Sequence, residues 1–122
     1  MKVKSFEEII SWQLAQDLTI ELYRILKTCK DFEYRSQILR AVVSISCNIA
    51  EGFEKDTDRD FIRYLYIAKG SCGEVRSLLY IGERLEYLSS NERTLLHETC
   101  VRISKLLSAF IKSLSPSVRR ST

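Results

Sequence analysis

The sequence contains little of what sheets and long loops require. Its 122 residues include four glycines and one proline, Pro116, which lies near the end. Because Gly and Pro supply the special backbone angles of tight turns, their scarcity favours long helices joined by short connections. Hydrophobic residues make up 45% of the chain and charged residues 29%, the balance of an ordinary folded protein. This length and composition predict one domain with a single core.

Long apolar runs are also missing. No segment approaches the roughly 20 uncharged apolar residues that a membrane-spanning helix needs. Near the start, Glu7 and Glu8 stand where a secretion signal would carry its apolar stretch. We therefore expect a cytoplasmic protein that has no membrane partner.

The usual signatures of catalysis and metal binding are absent as well. The single histidine, His97, belongs to no ExxH or HExxH pattern, and we interpret it as a solvated surface residue. There is no GxSxG motif, and no Gly-rich loop follows a strand pattern. The four cysteines are dispersed along the chain, which favours free thiols over a shared zinc site. The sequence predicts a non-enzymatic protein with no metal, no cofactor and no small-molecule substrate.

What the sequence does contain is helical periodicity. The apolar spacing predicts four helices, over residues 6–28, 33–53, 58–88 and 91–114. Two of them begin with a capping box, formed by Ser5 with Glu8 and by Ser89 with Glu92. Pro116 is expected to end the fourth helix, which leaves residues 117–122 as a flexible basic tail after a domain of residues 1–116. These features predict an all-α, antiparallel up-down-up-down four-helix bundle.

The second predicted helix is apolar around most of its circumference. Two apolar stripes run along it, offset by roughly a third of a turn. Such a helix requires burial on more than one side, which a bundle of four helices does not provide by itself. The pattern therefore predicts a homo-oligomer with part of this helix at the subunit interface. The first stripe is Ile38, Val42, Ile45 and Ile49, and the second is Leu39, Val43, Cys47 and Ala50.

A line of polar residues separates these stripes, and polar groups on a mostly buried helix must be paired. The third predicted helix offers suitable partners. One interpretation is an internal hydrogen-bond network that fixes how the helices pack, which we favour; the other is a site for a ligand or partner. The residues of this expected structural network are Arg40, Ser44, Asn48 and Glu51 from the second helix, with Ser71 and Glu74 from the third.

Tyrosines alternate with cations on the far side of the third predicted helix, and the last quarter of the chain is basic. Residues 89–122 hold six of the 19 Lys and Arg residues but two of the 16 Asp and Glu residues. Tyrosine with arginine suits stacking and phosphate contact, a protein–protein interface or a solvated face. The candidate nucleic-acid-binding residues are Tyr66, Arg76, Tyr80, Arg84 and Tyr87, with Lys105, Lys112, Arg119 and Arg120.

Two strings carry a family resemblance, QILRAVVSISCNIAEG at residues 37–52 and FIRYLYIAKGSCGE at residues 61–74, and the opening around Trp12 and Gln13 fits as well. Together they resemble the four-helix bundle proteins of the 23S rRNA intervening-sequence family. The resemblance implies a bacterial origin, no agreed catalytic residues and a homo-oligomer, typically a pentameric barrel of bundles. A related branch of the family comprises the accessory proteins of diversity-generating retroelements, which associate with RNA and a reverse transcriptase.

The residues and the resemblance together suggest a non-enzymatic oligomeric scaffold that binds RNA or a nucleic-acid-associated protein. The net charge of +3 is modest, but five copies around one axis would carry about +15. The alternative is a protein–protein interaction module of unknown function with no nucleic-acid role.

Overall fold

A computed structural model of the chain describes residues 3–121, with side chains described as far as Val118. Its regular elements are all helical, and no strand occurs among these residues. A short 3-10 turn over Phe6–Glu8 precedes the first helix. The helices are α1 (Ile10–Ile25), α2 (Phe32–Phe53), α3 (Asp58–Arg84) and α4 (Ser90–Ser121).

The helix starts follow the local signals in the sequence. At α3, the Thr57 hydroxyl accepts a hydrogen bond from the Asp60 N–H at 3.2 Å. Before α4, the Ser89 hydroxyl accepts from the Glu92 N–H at 3.0 Å, and the Glu92 carboxylate accepts from the Ser89 N–H at 2.8 Å. This reciprocal pair is the predicted capping box, which satisfies two N–H groups that the helix itself leaves unpaired.

Three predicted helix boundaries are wrong, and one of them is the end of α1, which lies at Ile25 rather than at residue 28. The capping box at Ser5 closes the 3-10 turn instead of the long helix, because Ile9 is extended (φ −76°, ψ 121°) and α1 begins after it. The third helix ends at Arg84 rather than near residue 88. Glu86 has a φ of 64°, in the left-handed region, and the Tyr87 N–H then donates to the Gly82 carbonyl at 2.8 Å. This reversal turns the chain towards α4.

The prediction that Pro116 ends the fourth helix is also wrong, since α4 continues through it to Ser121. Proline removes one backbone hydrogen bond of the helix, and its ring here is exposed. The Ser113 hydroxyl donates to the Phe110 carbonyl at 2.7 Å, and the Ser115 hydroxyl donates to the Ile111 carbonyl at 2.8 Å. The flexibility expected of residues 117–122 stays a prediction.

The four helices enclose one core. α1 packs against α2 and α4, and α3 packs against the same two helices, which is the neighbour pattern of a bundle. The core draws on every helix, and its largest fully buried side chains include Leu22, Ile38, Ile45, Ile49, Leu65, Leu79, Ile103 and Leu107. No described helix is long and apolar enough to span a membrane.

The two stripes of α2 have different surroundings. All four residues of the first stripe are fully buried. In the second, Leu39 is buried, Val43 and Ala50 are half-buried, and Cys47 is exposed. One apolar side of α2 therefore forms the core, while the other reaches the surface beside α1.

Candidate nucleic-acid interface

A shallow groove runs between α3 and α4 and carries several cations of the chain. We call it the cationic groove. Lys69 and Arg76 from α3 and Ser104 from α4 line two adjoining hollows along it. The remaining lining residues are Tyr66, Gly70 and Gly73 from α3, with Val101, Lys105 and Ser108 from α4.

Helical spacing explains why these residues share one surface. Tyr66, Lys69, Gly73, Arg76 and Tyr80 follow one another at intervals of three or four residues, so they lie on the same side of α3. The facing residues of α4 have the same spacing and include serines, whose small side chains leave the groove open. The cations flank the groove because aliphatic stems of Lys and Arg pack along the helices while their charged ends reach water.

His97 connects the two helices at one end of the cationic groove. Its Nε2 atom accepts a hydrogen bond from the Nε–H group of Arg76 at 3.3 Å, and the Tyr80 hydroxyl lies 3.4 Å from the same atom. The Tyr80 and His97 rings meet edge to face, with centroids 5.4 Å apart. Burial, followed by the positive charges of Arg76 and Arg93, lowers the pKa of His97 below its ordinary value of 6.5.

Arg93 closes this cluster on the side of α4. Its guanidinium lies 4.9 Å from the centroid of the Tyr80 ring, a cation–π contact. The same guanidinium donates to the Glu83 carboxylate at 2.6 Å, and that hydrogen bond raises the pKa of Arg93. Arg93 is therefore neutralised by an acid. Lys69, Arg76 and Lys105 form no salt bridge with any residue of the described part of the chain.

The structure brings together four of the predicted nucleic-acid-binding residues, Tyr66, Arg76, Tyr80 and Lys105. Tyr66 and Tyr80 are 57% and 48% exposed, which leaves ring surface free for stacking. Lys112 lies about two turns beyond Lys105 on the same side of α4 and is exposed. Arg84 is exposed in the last turn of α3. The side chains of Arg119 and Arg120 lie outside the described residues.

Tyr87 lies elsewhere. Its hydroxyl donates to the Asp31 carboxylate at 2.6 Å, and its ring packs 5.2 Å from that of Tyr34. The Tyr87 bond, aided by the Tyr34 N–H, lowers the pKa of Asp31. The hydrogen bond to Asp31 together with burial raises the pKa of Tyr87 to about 12. Tyr87 therefore ties the start of α2 to the turn that follows α3 and is not available for stacking on RNA.

The candidate set drawn from the sequence omitted Lys69, which lines the groove, and Arg93 and His97, which belong to the cluster at its end. The interpretation of His97 as a solvated residue is wrong, because the ring is half-buried and its Nε2 atom lies within hydrogen-bond distance of two side chains. Its contacts come from residues 17 and 21 positions away. No periodicity within one helix reveals such a pairing, whereas the proximity of Lys69 to Arg76 is visible in the spacing of α3.

A second groove, which we call the polar groove, lies between α2 and α3 and has a volume of about 610 Å³. The Ser44 and Ser71 hydroxyls meet across it at 2.9 Å, and the Asn48 amide donates to the Ser44 hydroxyl at 2.8 Å. The predicted network thus contains a bonded core of three residues. Of the others, Arg40 donates to the Ser36 hydroxyl at 3.4 Å, Glu74 lines the groove, and Glu51 is exposed further along α2.

The four thiols are free and differ in exposure. Cys72 and Cys100 are fully buried, and this burial raises the pKa of each to about 12. They are therefore protonated at neutral pH and behave as small apolar core residues. Cys29 is half-buried and Cys47 exposed. Among residues 3–118, no group of three His, Cys, Asp or Glu side chains is placed to hold a metal ion.

Comparison with known proteins shows that this chain matches a family. Residues 7–109 match the family model described as 23S rRNA-intervening sequence protein. The fold is similar to the crystal structure, at 1.70 Å resolution, of a protein of unknown function from the S23 ribosomal protein family of Bacteroides thetaiotaomicron. The two chains are 28% identical with a TM-score of 0.79, and the match covers 84% of this chain and 99% of the other. Among curated proteins, none matches.

Proposed function

Since the chain belongs to the 23S rRNA-intervening sequence protein family, as the two sequence strings predicted, we propose that it is a non-enzymatic, oligomeric scaffold that binds RNA through the cationic groove. We place this function in the bacterial cytoplasm. It uses no cofactor and no small-molecule substrate.

One observation carries the RNA-binding part of the proposal. Lys69, Arg76 and Lys105 line the groove without a salt-bridge partner among the described residues, and exposed Tyr66 and Tyr80 stand beside them. Cations that are not neutralised by acids can contact phosphates, and exposed tyrosine rings can stack on bases. A groove open along its length suits an extended strand rather than a small enclosed molecule.

Pairwise contacts support an antiparallel, up-down-up-down arrangement. Tyr34, near the start of α2, donates its hydroxyl to the Leu78 carbonyl near the end of α3 at 2.7 Å. Gly52, at the other end of α2, packs against Tyr64 near the start of α3. The Arg76–His97 bond and the Arg93–Glu83 ion pair relate α3 and α4 in the same way.

Two exposed apolar surfaces support self-association. One lies on α1 and α2, where Ile20 is 50% and Tyr23 44% exposed next to the second stripe of α2. The other lies on α3, where Ile67 and Ile81 are 45% and 44% exposed. Different surfaces that join head to tail generate a ring, and the family resemblance suggests five subunits.

The glycines of α3 support the RNA-binding part of the proposal. A Cβ atom at Gly70 or Gly73 would meet no other atom within 4 Å, so the subunit itself does not require glycine there. Glycine inside a helix costs about 1 kcal/mol relative to alanine. An RNA strand that approaches α3 closely along the cationic groove would explain why small residues occupy this surface.

The test of RNA binding is a salt series with a structured bacterial rRNA fragment at pH 7.5. We expect affinity to fall steeply as salt rises, because each phosphate contact releases counterions. The logarithmic slope then gives the number of contacts. Absence of binding at low salt contradicts the RNA-binding proposal and leaves the family assignment unaffected.

A protein-interaction module without a nucleic-acid role is the second candidate function. It is favoured by an apolar groove of about 400 Å³ between α1 and α4, where Leu95 is 55% exposed and Asp17, Glu21 and Glu92 form an acidic rim. Such a surface repels phosphates. Purified protein free of nucleic acid, together with a Tyr66→Ala variant that dissociates the oligomer, would favour this candidate over the scaffold for RNA.

A further inference from the structure

His97 is the sole histidine of the chain, and its position fixes its protonation state at neutral pH. A guanidinium keeps its protons throughout the accessible pH range, so the Nε–H group of Arg76 is the donor in the 3.3 Å bond to Nε2. The acceptor nitrogen therefore carries no proton. The ring is neutral, with its hydrogen on Nδ1, while Arg76 is held against it.

Two of the four groups that face His97 are cationic. Arg76 and the Tyr80 hydroxyl approach it from α3, and Arg93 and Glu98 act on it from α4. Glu83 on α3 is already paired with Arg93. Burial and the two arginines lower the pKa of His97, and Glu98 opposes them with a smaller effect. His97 is therefore protonated at lower pH than an ordinary histidine.

A proton on Nε2 changes what the pair can bind. His97 loses the lone pair that holds Arg76, and two positively charged donors then face each other across a few ångströms. An anionic oxygen between them accepts from both and removes their repulsion. A phosphodiester has one negative charge and two such oxygens. It suits this position better than a carboxylate-bearing side chain of the protein, since Glu83 is occupied and Glu98 forms no bond to the ring.

We propose that Arg76 and His97 form a proton-linked phosphodiester site, in which RNA binding is coupled to protonation of His97 and tightens as pH falls. The site rests on the proposed RNA-binding function and adds its regulation. One proton is taken up by Nε2 for each phosphodiester bound there. The neighbouring Tyr80 ring offers a stacking surface, and Lys69 and Lys105 continue the path of the strand along the groove.

The experiment is an NMR pH titration of His97 between pH 5 and pH 8, with and without a saturating single-stranded RNA of four uridines. A single histidine gives a single set of imidazole signals. The diester phosphates of this RNA keep one charge each across the range. We expect the pKa of His97 to rise by about one unit on binding, which corresponds to roughly tenfold tighter binding at pH 5 than at pH 8.

Two variants separate the proton linkage from general electrostatics. His97→Gln keeps an acceptor for Arg76 but does not titrate, so its affinity for the tetranucleotide is expected to be equal at both pH values. Lys105→Gln weakens binding at both pH values and preserves the rise in the pKa of His97.

An unchanged pKa of His97 in the saturated complex overturns the proposal, as does pH-dependent binding that persists in His97→Gln. If structured RNA binds at pH 7.5 and its affinity does not vary with pH, the proton-linked site is disproved while the RNA-binding function stands. Failure of every RNA to bind at every pH disproves both.

Discussion

The two grooves beside α3 contain similar residue types in different arrangements. In the polar groove, Glu33, Arg40 and Glu74 mix charges of both signs, and the Ser44–Ser71 hydrogen bond ties α2 to α3. In the cationic groove, the charged lining residues are all positive. The polar residues between α2 and α3 thus serve helix packing. The cations between α3 and α4 are left free to bind a partner.

Glycine shows the same contrast. Gly52 and Gly82 lie where α2 and α3 approach closely: a Cβ atom on Gly52 would lie 2.7 Å from the Tyr64 Cβ, and one on Gly82 would overlap the Tyr34 hydroxyl. Gly70 and Gly73 face open space on α3. The side of α3 towards α2 is therefore closed by tight packing at these two points, and the opposite side is open.

Filling the closed side should have the largest effect. Gly52→Ala forces a methyl group against Tyr64 and Phe61, and we expect it to lower the free energy of unfolding by about 2–3 kcal/mol. Urea unfolding measures the change, with Gly73→Ala on the open side as the matched control. Equal effects of the two substitutions would contradict the distinction between the sides.

Removing charge tests the difference between the grooves. The double variant Arg76→Gln/Lys105→Gln should weaken binding of structured RNA on the order of 100-fold and reduce its salt slope by about two. The control is Arg40→Gln in the polar groove, which we expect to change affinity by less than about threefold. A comparable loss in both variants would mean that net charge, not the groove, determines binding.

A smaller effect is expected on the open side of α3. Gly70→Ala/Gly73→Ala should raise the stability of the isolated subunit by about 2 kcal/mol in total, because alanine favours helix and meets no neighbour. The same methyl groups should narrow the cationic groove and weaken binding of structured RNA, which a binding titration would detect. A variant that binds RNA as tightly as the parent protein would place the RNA contact elsewhere.

The smallest change concerns Tyr87. Its bond lowers the pKa of Asp31 from 3.8, so the associated stability is complete above that pH and is lost as pH falls through the lower folded value. Tyr87→Phe should reduce this acid-dependent loss, measured as urea midpoints between pH 2 and pH 5, and should leave RNA affinity unchanged. Tyr80→Phe, in the cationic groove, serves as the control and should keep the acid dependence.

Much of the fold could be predicted because its signals are local. The first stripe of α2 is buried as its spacing indicates, and Ser89 and Glu92 cap α4 with bonds that span three residues. The errors concern competition between local signals. Pro116 is a strong helix breaker, yet it is exposed and α4 continues through it. Ile9 interrupts a run whose periodicity alone predicts one helix.

The candidate site was less predictable for a different reason. Spacing placed Tyr66, Arg76 and Tyr80 on one side of α3, and the structure agrees. The spacing also predicted Tyr87 on this side. The helix instead ends at Arg84, and Glu86, which has left-handed backbone angles, redirects the chain. No signal within one helix indicates that Arg93 is neutralised by Glu83 or that His97 holds Arg76.

The sequence by itself determined that this protein is helical, where most helices begin, which stripe of α2 enters the core and which family the chain belongs to. These properties depend on contacts between residues a few positions apart, which the order of residues encodes directly. The tertiary structure alone decided which cations are paired, which glycines are packed and that His97 lies between two helices. Those outcomes depend on how each helix is rotated against its neighbours, and that rotation is set by the packing of the whole core.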